Sequence, residues 1–149
     1  MASSPDRLTA LQRDLLLAFF AKESVLVDTV WERVPAAYPA RIEQGGIVLD
    51  SPEEITVNKL TTLVSRSEPR DIVDLMLLER FGCSIEAALP KALQKDGGCT
   101  PATLAWVLSE VSIPADAALP GGVPPHEARA FLGNLVERLL KAAAPPPAP

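Results

Sequence analysis

The sequence predicts an α+β fold, in which a small β-sheet of about three short strands precedes a bundle of four to five helices. Two observations predict this arrangement. Segments rich in β-branched residues occur near the N-terminus and again around a pair of glycines, as in strands joined by a hairpin. After residue 50, helix start and stop signals recur through the rest of the chain.

The first predicted element is an amphipathic helix. Leu8, Leu11, Leu15 and Phe19 form an apolar stripe at helical spacing. The segment 24–30 then has the composition of a strand, with one acid on an otherwise apolar face. Almost no connection separates this strand from the helix before it, which is unusual.

The next elements are a hairpin and a helix. Residues 41–43 and 47–49 flank Gln44-Gly45-Gly46 in the manner of a short hairpin. The run from Ser51 to Glu54 then combines an N-cap serine, a proline at the first helical position and a glutamate three residues after the cap. This is the sharpest helix start in the sequence, and the helix should reach about Ser65.

Four further helices are expected before a proline-rich end. They run from near Pro69 to Gly82, from Ser84 to Asp96 with an interruption or kink at Pro90, from Thr100 to about Val111, and through a last stripe of Phe131, Leu135 and Leu139. Residues 144–149 predict a disordered tail.

Composition limits the classes of function. The chain has 149 residues, 48% of them hydrophobic, which suits a single core, and its formal charge of −5 predicts no strong nucleic-acid binding. Cys83 and Cys99 stand alone and no signal peptide is evident, so a reduced, cytoplasmic protein is expected. The longest apolar stretch, residues 15–21, is far short of the roughly 20 residues of a membrane helix, and a single histidine, His126, excludes the usual zinc sites.

The densest polar cluster follows Ser51 and is listed here: Lys59, Arg66, Arg70, Asp71 and Asp74. The two basic residues of the first helix share a face, as do the two aspartates of the next, and a short link would bring the faces together. One interpretation is a phosphate-binding basic pair with carboxylates that orient it or handle a proton. The alternative, favoured by composition alone, is a salt-bridge network that holds a helical hairpin.

The amino-acid sequence of this segment resembles that of a known family. The runs GGIVLDSPEEI (45–55), NKL (58–60) and RSEPRDIVDL (66–75) are similar to the nucleotidyltransferase toxins of the abortive-infection AbiEii/AbiGii type. The strand VLVD (25–28) and the helix over 8–20 resemble the elements that precede this run in the family. The resemblance is most specific from Lys59 to Leu75.

The resemblance implies roles for individual residues. Asp28 matches the third carboxylate of the active site, which takes part in metal binding. Lys59 matches a lysine that contacts the phosphates of the nucleotide. Arg66 and Arg70, the other cations of the cluster, are further candidate phosphate-binding residues because of their charge. Asp71 and Asp74 match acids near the reaction centre, listed with Asp28 as candidate catalytic residues. Mg²⁺ and a nucleoside triphosphate are the cofactor and substrate that the family implies.

The sequence departs from this pattern at one place. Enzymes of this kind resemble the polymerase-beta superfamily, in which a Gly-Gly or Gly-Ser turn holds the triphosphate and an Asp-x-Asp pair holds the metals. The eight aspartates, at positions 6, 14, 28, 50, 71, 74, 96 and 116, include no pair two residues apart. Both elements belong between the opening helix and the strand of Asp28, where Glu23 is followed directly by Ser24.

The expectation is therefore a shortened nucleotidyltransferase-like protein that is inactive alone, with an incomplete metal site at Asp28 and neither Mg²⁺ nor NTP bound. Residues 1–50 would be a remnant of the transferase core and residues 51–143 a helical domain. The uncovered strand predicts self-association. Two alternatives stay open: a helical module that binds a partner such as a cognate antitoxin, and an enzyme completed by a second chain.

Overall fold

The computed structural model describes residues 34–145. The predicted opening helix, the strand over 24–30 with Asp28, the junction at Glu23 and residues 146–149 of the predicted tail lie outside the described residues. The described part is mostly helical, with five α-helices behind one short hairpin. None of its helices has the length and apolar character that a membrane crossing requires.

The hairpin consists of β1 (Arg41–Gln44) and β2 (Ile47–Asp50), which pair antiparallel with Arg41 opposite Asp50. Gly45 and Gly46 form the turn with φ of 61° and 80°. A two-residue turn with both φ values positive matches the twist of the strands and favours glycine. No wider sheet forms within the described residues. The structure therefore confirms the helical part of the predicted fold but, in the described part, shows only two of the predicted strands.

The five helices are α1 (Pro52–Ser65), α2 (Pro69–Phe81), α3 (Ile85–Lys95), α4 (Pro101–Ser109) and α5 (Pro125–Ala143). Three begin at the predicted caps, because the side chains of Ser51, Ser84 and Thr100 accept hydrogen bonds from backbone N–H groups three residues later, at 3.2, 3.2 and 3.1 Å. Helix α2 ends at Gly82, whose φ of 111° fits the predicted stop.

Of the interruption or kink predicted at Pro90, the interruption is wrong, since α3 continues through it to Lys95. Pro90 lies on the exposed side of α3, whereas Ala88, Leu89 and Ala92 are buried. A proline inside a helix removes one hydrogen bond. Burial of the opposite face holds the helix together across that gap.

A single core lies between the helices. Helix α1 packs against α2, α3 and α4, while α5 packs against α4 and α2. The largest fully buried apolar side chains are Val57, Leu60, Leu63, Ile72, Val73, Leu75, Ile85, Leu104, Leu108, Leu135 and Leu139. At the surface Arg138 of α5 forms a forked ion pair with Glu79 of α2, at 2.6 and 3.0 Å. The bundle thus fixes α1 and α2 rigidly, and these helices carry the candidate site.

Candidate functional site

The predicted polar cluster assembles where α1 ends and α2 begins. Residues 66–68 are the whole connection between the two helices. The Ser67 hydroxyl donates to the carbonyl oxygen of Leu63 at 2.8 Å, which closes the connection tightly. The basic face of α1 therefore meets the acidic face of α2, as the residue spacing predicted.

Lys59 lies at the centre of the cluster. Its Nζ is 3.3 Å from Asp71 Oδ1 and 2.5 Å from Asp74 Oδ2. The Lys59 side chain is 28% exposed, so water still reaches it. The one lysine of α1 is thus held between both aspartates that the sequence analysis singled out.

Asp71 is the buried member, with a side-chain exposure of 0%. Besides Lys59, its Oδ1 lies 3.7 Å from Arg66 Nη2. Its Oδ2 accepts a hydrogen bond from the backbone N–H of Glu68 at 3.3 Å. Both oxygens therefore have partners, and one of them caps the first turn of α2.

Glu68 joins the remaining arginine to the cluster, and the sequence analysis missed it. Its carboxylate oxygens lie 2.7 Å from Arg70 Nε and 3.5 Å from Arg66 Nε. Its role could have been predicted from its position between two arginines at the start of a helix, where an acid is favoured. The three cations of the cluster, Lys59 and the two arginines, are matched by three carboxylates, so its formal charges cancel.

The cluster is a poor fit for a divalent metal. Mg²⁺ takes oxygen ligands and keeps open positions for water and phosphate, but both oxygens of Asp71 are engaged inside the fold. Asp74, with a side-chain exposure of 37%, has one oxygen without a partner among the described residues. Within residues 34–145 no group of three or more acidic, histidine or cysteine side chains is placed to hold a metal ion.

An apolar groove of about 360 Å³ borders this cluster. Lys59 and Asp74 form one part of its wall, and Ile55, Leu77 and Phe81 form much of the rest. Phe81 is 76% exposed. A large aromatic side chain this exposed beside other apolar side chains marks a surface suited to a partner.

A second ion pair, which the sequence analysis did not find, lies deeper in the fold. Lys95 Nζ is 2.6 Å from Glu54 Oε1, with side-chain exposures of only 7% and 2%. Lys95 also donates to the Asn58 side-chain oxygen, and Glu54 Oε2 accepts from the Tyr38 backbone N–H at 2.7 Å. Glu54 thus ties α1 to α3 and to the segment before the hairpin.

The signal for this pair lay in the helical stripes. Glu54 continues the buried stripe of Val57 and Leu60, and Lys95 continues that of Ala92. Opposite charges on two buried stripes indicate a buried pair. The pair was missed because the sequence analysis placed Glu54 at the helix start, three residues after the Ser51 cap. Ser51 Oγ does accept a hydrogen bond from the Glu54 N–H, but the Glu54 carboxylate binds Lys95 instead of the helix start.

This pair predicts a pH dependence of stability. Burial acts to raise the pKa of Glu54, but hydrogen bonds from Lys95 and Tyr38 and the charge of Lys95 outweigh it, so the pKa lies below the ordinary value of 4.5. A lowered pKa in the folded state contributes stability that is fully present above the unfolded pKa. That contribution is lost as the pH falls from about 4.5 through the folded pKa.

Chemical denaturation at a series of pH values between about 6 and 3 measures this effect. The slope of stability against pH should shrink in Glu54→Gln. Its matched control is Glu53→Gln, the adjacent exposed glutamate, which has no ion pair among the described residues. Equal slopes in the two variants would show that Glu54 does not carry the dependence.

The segment that forms this α1–α2 corner, from Lys59 to Leu75, is the one whose sequence most resembles nucleotidyltransferase toxins. The family model described as "Nucleotidyl transferase AbiEii toxin, Type IV TA system" matches residues 14–143. The chain belongs to this family. Comparison with curated proteins and with solved structures gave no match.

Proposed function

We propose that this chain, a member of the AbiEii family, does not transfer nucleotides on its own. In this proposal the cluster around Lys59 has a structural role and holds α1 against α2. One observation carries the proposal. The sequence contains no Asp-x-Asp pair, and none of its glycine pairs, at 45–46, 97–98 and 121–122, is followed by one.

Two-metal transfer requires metals clamped on both the attacking and the leaving oxygen. Asp28 alone cannot provide that clamp, and Asp71 is committed to Lys59 and to the start of α2. A glycine turn would supply backbone donors for the triphosphate, so its loss removes positioning and charge stabilisation together. The Mg²⁺ and NTP of the family are therefore not expected to bind productively to this chain.

The charges of the cluster support the same proposal. A phosphate that approached Lys59 would meet the carboxylates of Asp71 and Asp74, which lie 3.3 and 2.5 Å from its Nζ. The Nε groups of Arg66 and Arg70 are likewise paired with Glu68. A cluster whose cations are already matched attracts an anion weakly.

In this proposal residues 1–50 are the remnant of the transferase core, and residues 51–143 are the helical domain.

A second candidate is a partner-binding module, which the groove beside Lys59 favours. Ile55, Leu77 and Phe81 expose apolar surface next to a charged rim. The type IV toxin–antitoxin description of the family suggests an antitoxin as partner. A third candidate is an enzyme completed by a second chain, in which case a partner would add the missing carboxylates.

Thermal unfolding with each nucleoside triphosphate and Mg²⁺ separates the completed enzyme from the other two candidates. A ligand that binds the folded state raises its stability, by about 2.7 kcal/mol at 100 times its Kd. We expect no shift in the Tm of the chain alone at millimolar nucleotide. A shift of several degrees that Lys59→Ala abolishes, and that the matched Lys91→Ala retains, would contradict the proposal and favour the completed enzyme.

A further inference from the structure

The C-terminal end of α4 and the start of α2 form a second groove. It has a volume of about 330 Å³, and its walls include Pro69, Trp106, Val107, Glu110 and Val111. Trp106 is 67% exposed and presents its ring to the solvent. The groove thus combines an aromatic surface, aliphatic walls and one carboxylate.

Among the described residues, the one charged side chain in the wall of this groove is that of Glu110. A helix carries partial negative charge at its C-terminus, which a basic residue in the last turn normally offsets. Helices α2, α3 and α5 have Arg80, Lys95 and Lys141 there, whereas α1 and α4 have no basic residue in the last turn, and the C-cap residue of α1 is Arg66. Instead the C-cap residue of α4 is an acid, Glu110.

No cation of the described residues compensates Glu110. It is exposed and has neither an ion pair nor a side-chain hydrogen bond within residues 34–145. Arg129 lines a neighbouring cavity that shares Glu110, but its Nη1 donates to the Ile113 carbonyl oxygen at 3.1 Å. Arg66 and Arg70, which flank Ser67 and Pro69 of the groove, are paired with Glu68. Glu110 is thus a carboxylate at the edge of an apolar groove whose charge no described residue offsets.

We propose that this groove binds a lysine or arginine side chain presented by an apolar-flanked segment of a partner protein. The cation would lie over the ring of Trp106, beside the Glu110 carboxylate and the terminal carbonyl groups of α4. Its aliphatic stem would pack on Val107 and Pro69. The volume suits one long side chain, and the charges disfavour an anionic ligand such as nucleic acid.

Nuclear magnetic resonance of the ¹⁵N-labelled full chain tests the proposal with a defined probe. The probe is the acetylated and amidated peptide Gly-Val-Arg-Val-Gly, and its control replaces arginine by neutral citrulline. The arginine peptide should shift the indole resonance of Trp106 with a Kd in the millimolar range, and the citrulline peptide should bind about fivefold more weakly. Trp106→Phe assigns the resonance, because Trp31 is the other tryptophan.

Two variants test the role of the carboxylate. Glu110→Gln should weaken binding of the arginine peptide about fivefold and leave the fold intact, since Glu110 is exposed and unpaired within the described residues. Glu137→Gln, at another exposed glutamate without an ion pair there, should bind like the unaltered chain.

Three results would overturn the proposal. If the arginine and citrulline peptides bind equally, the cation does not contribute to binding. If Glu110→Gln and Glu137→Gln have equal effects, Glu110 does not contribute to binding. A dimer of the free chain, seen by sedimentation and dissociated by Trp106→Ala, would place a second copy of this chain in the groove instead of a different partner.

Discussion

Replacing Lys95 by methionine is expected to lower the free energy of unfolding by about 3–5 kcal/mol, because it leaves the buried Glu54 carboxylate without its cation. The two side chains are 7% and 2% exposed and lie 2.6 Å apart. The substitution preserves most of the apolar volume of the lysine stem. Urea denaturation followed by circular dichroism measures the loss.

Lys91→Met, on the same helix, is the matched control and should change stability by less than about 0.5 kcal/mol. Lys91 has no ion pair among the described residues. Adding Glu54→Gln to Lys95→Met should recover part of the loss, since the uncompensated charge is then removed as well. Equal stabilities of the two lysine variants would contradict the assignment of a buried pair.

Asp71→Ala is expected to lower the free energy of unfolding by about 2–4 kcal/mol. The substitution leaves the Glu68 N–H without its acceptor at the start of α2, and it removes one of the two carboxylates that hold Lys59. Asp74→Ala should cost less than about 1 kcal/mol, because the Asp74 side chain is 37% exposed and its ion pair is screened by water.

Comparison of the two variants distinguishes a cluster that holds α1 against α2 from a cluster whose only role is catalytic. Chemical denaturation of both gives the comparison, and Asp71→Asn should fall between them because an amide oxygen can still accept from the Glu68 N–H. If Asp71→Ala and Asp74→Ala are equally mild, Asp71 does not hold the two helices together.

The helices were predictable because their signals are local. Ser51, Ser84 and Thr100 are followed within three residues by the groups that they cap, and the Gly45-Gly46 turn requires positive φ angles that glycine supplies. At Pro90 the local signal misled, since burial of the opposite face of α3 outweighs the hydrogen bond that proline removes.

The candidate site was predictable only in part, because only some of its contacts join residues that are close in the sequence. Lys59 and Asp71 lie twelve residues apart on consecutive helices, so their spacing and the short link predicted their contact. Glu54 and Lys95 are separated by 41 residues, and nothing local joins them. Their contact depends on how α1 packs against α3, which the sequence pattern alone does not specify.

Magnesium-dependent transfer from labelled nucleoside triphosphates to total RNA and to cell-lysate protein is the most direct measurement. All four nucleotides should be supplied to the full chain, with no protein and with Lys59→Ala as controls. The expected result is incorporation no higher than in either control. Incorporation that requires Mg²⁺ and disappears in the Lys59→Ala variant would contradict an inactive chain and would make the cluster around Lys59 part of a working transferase.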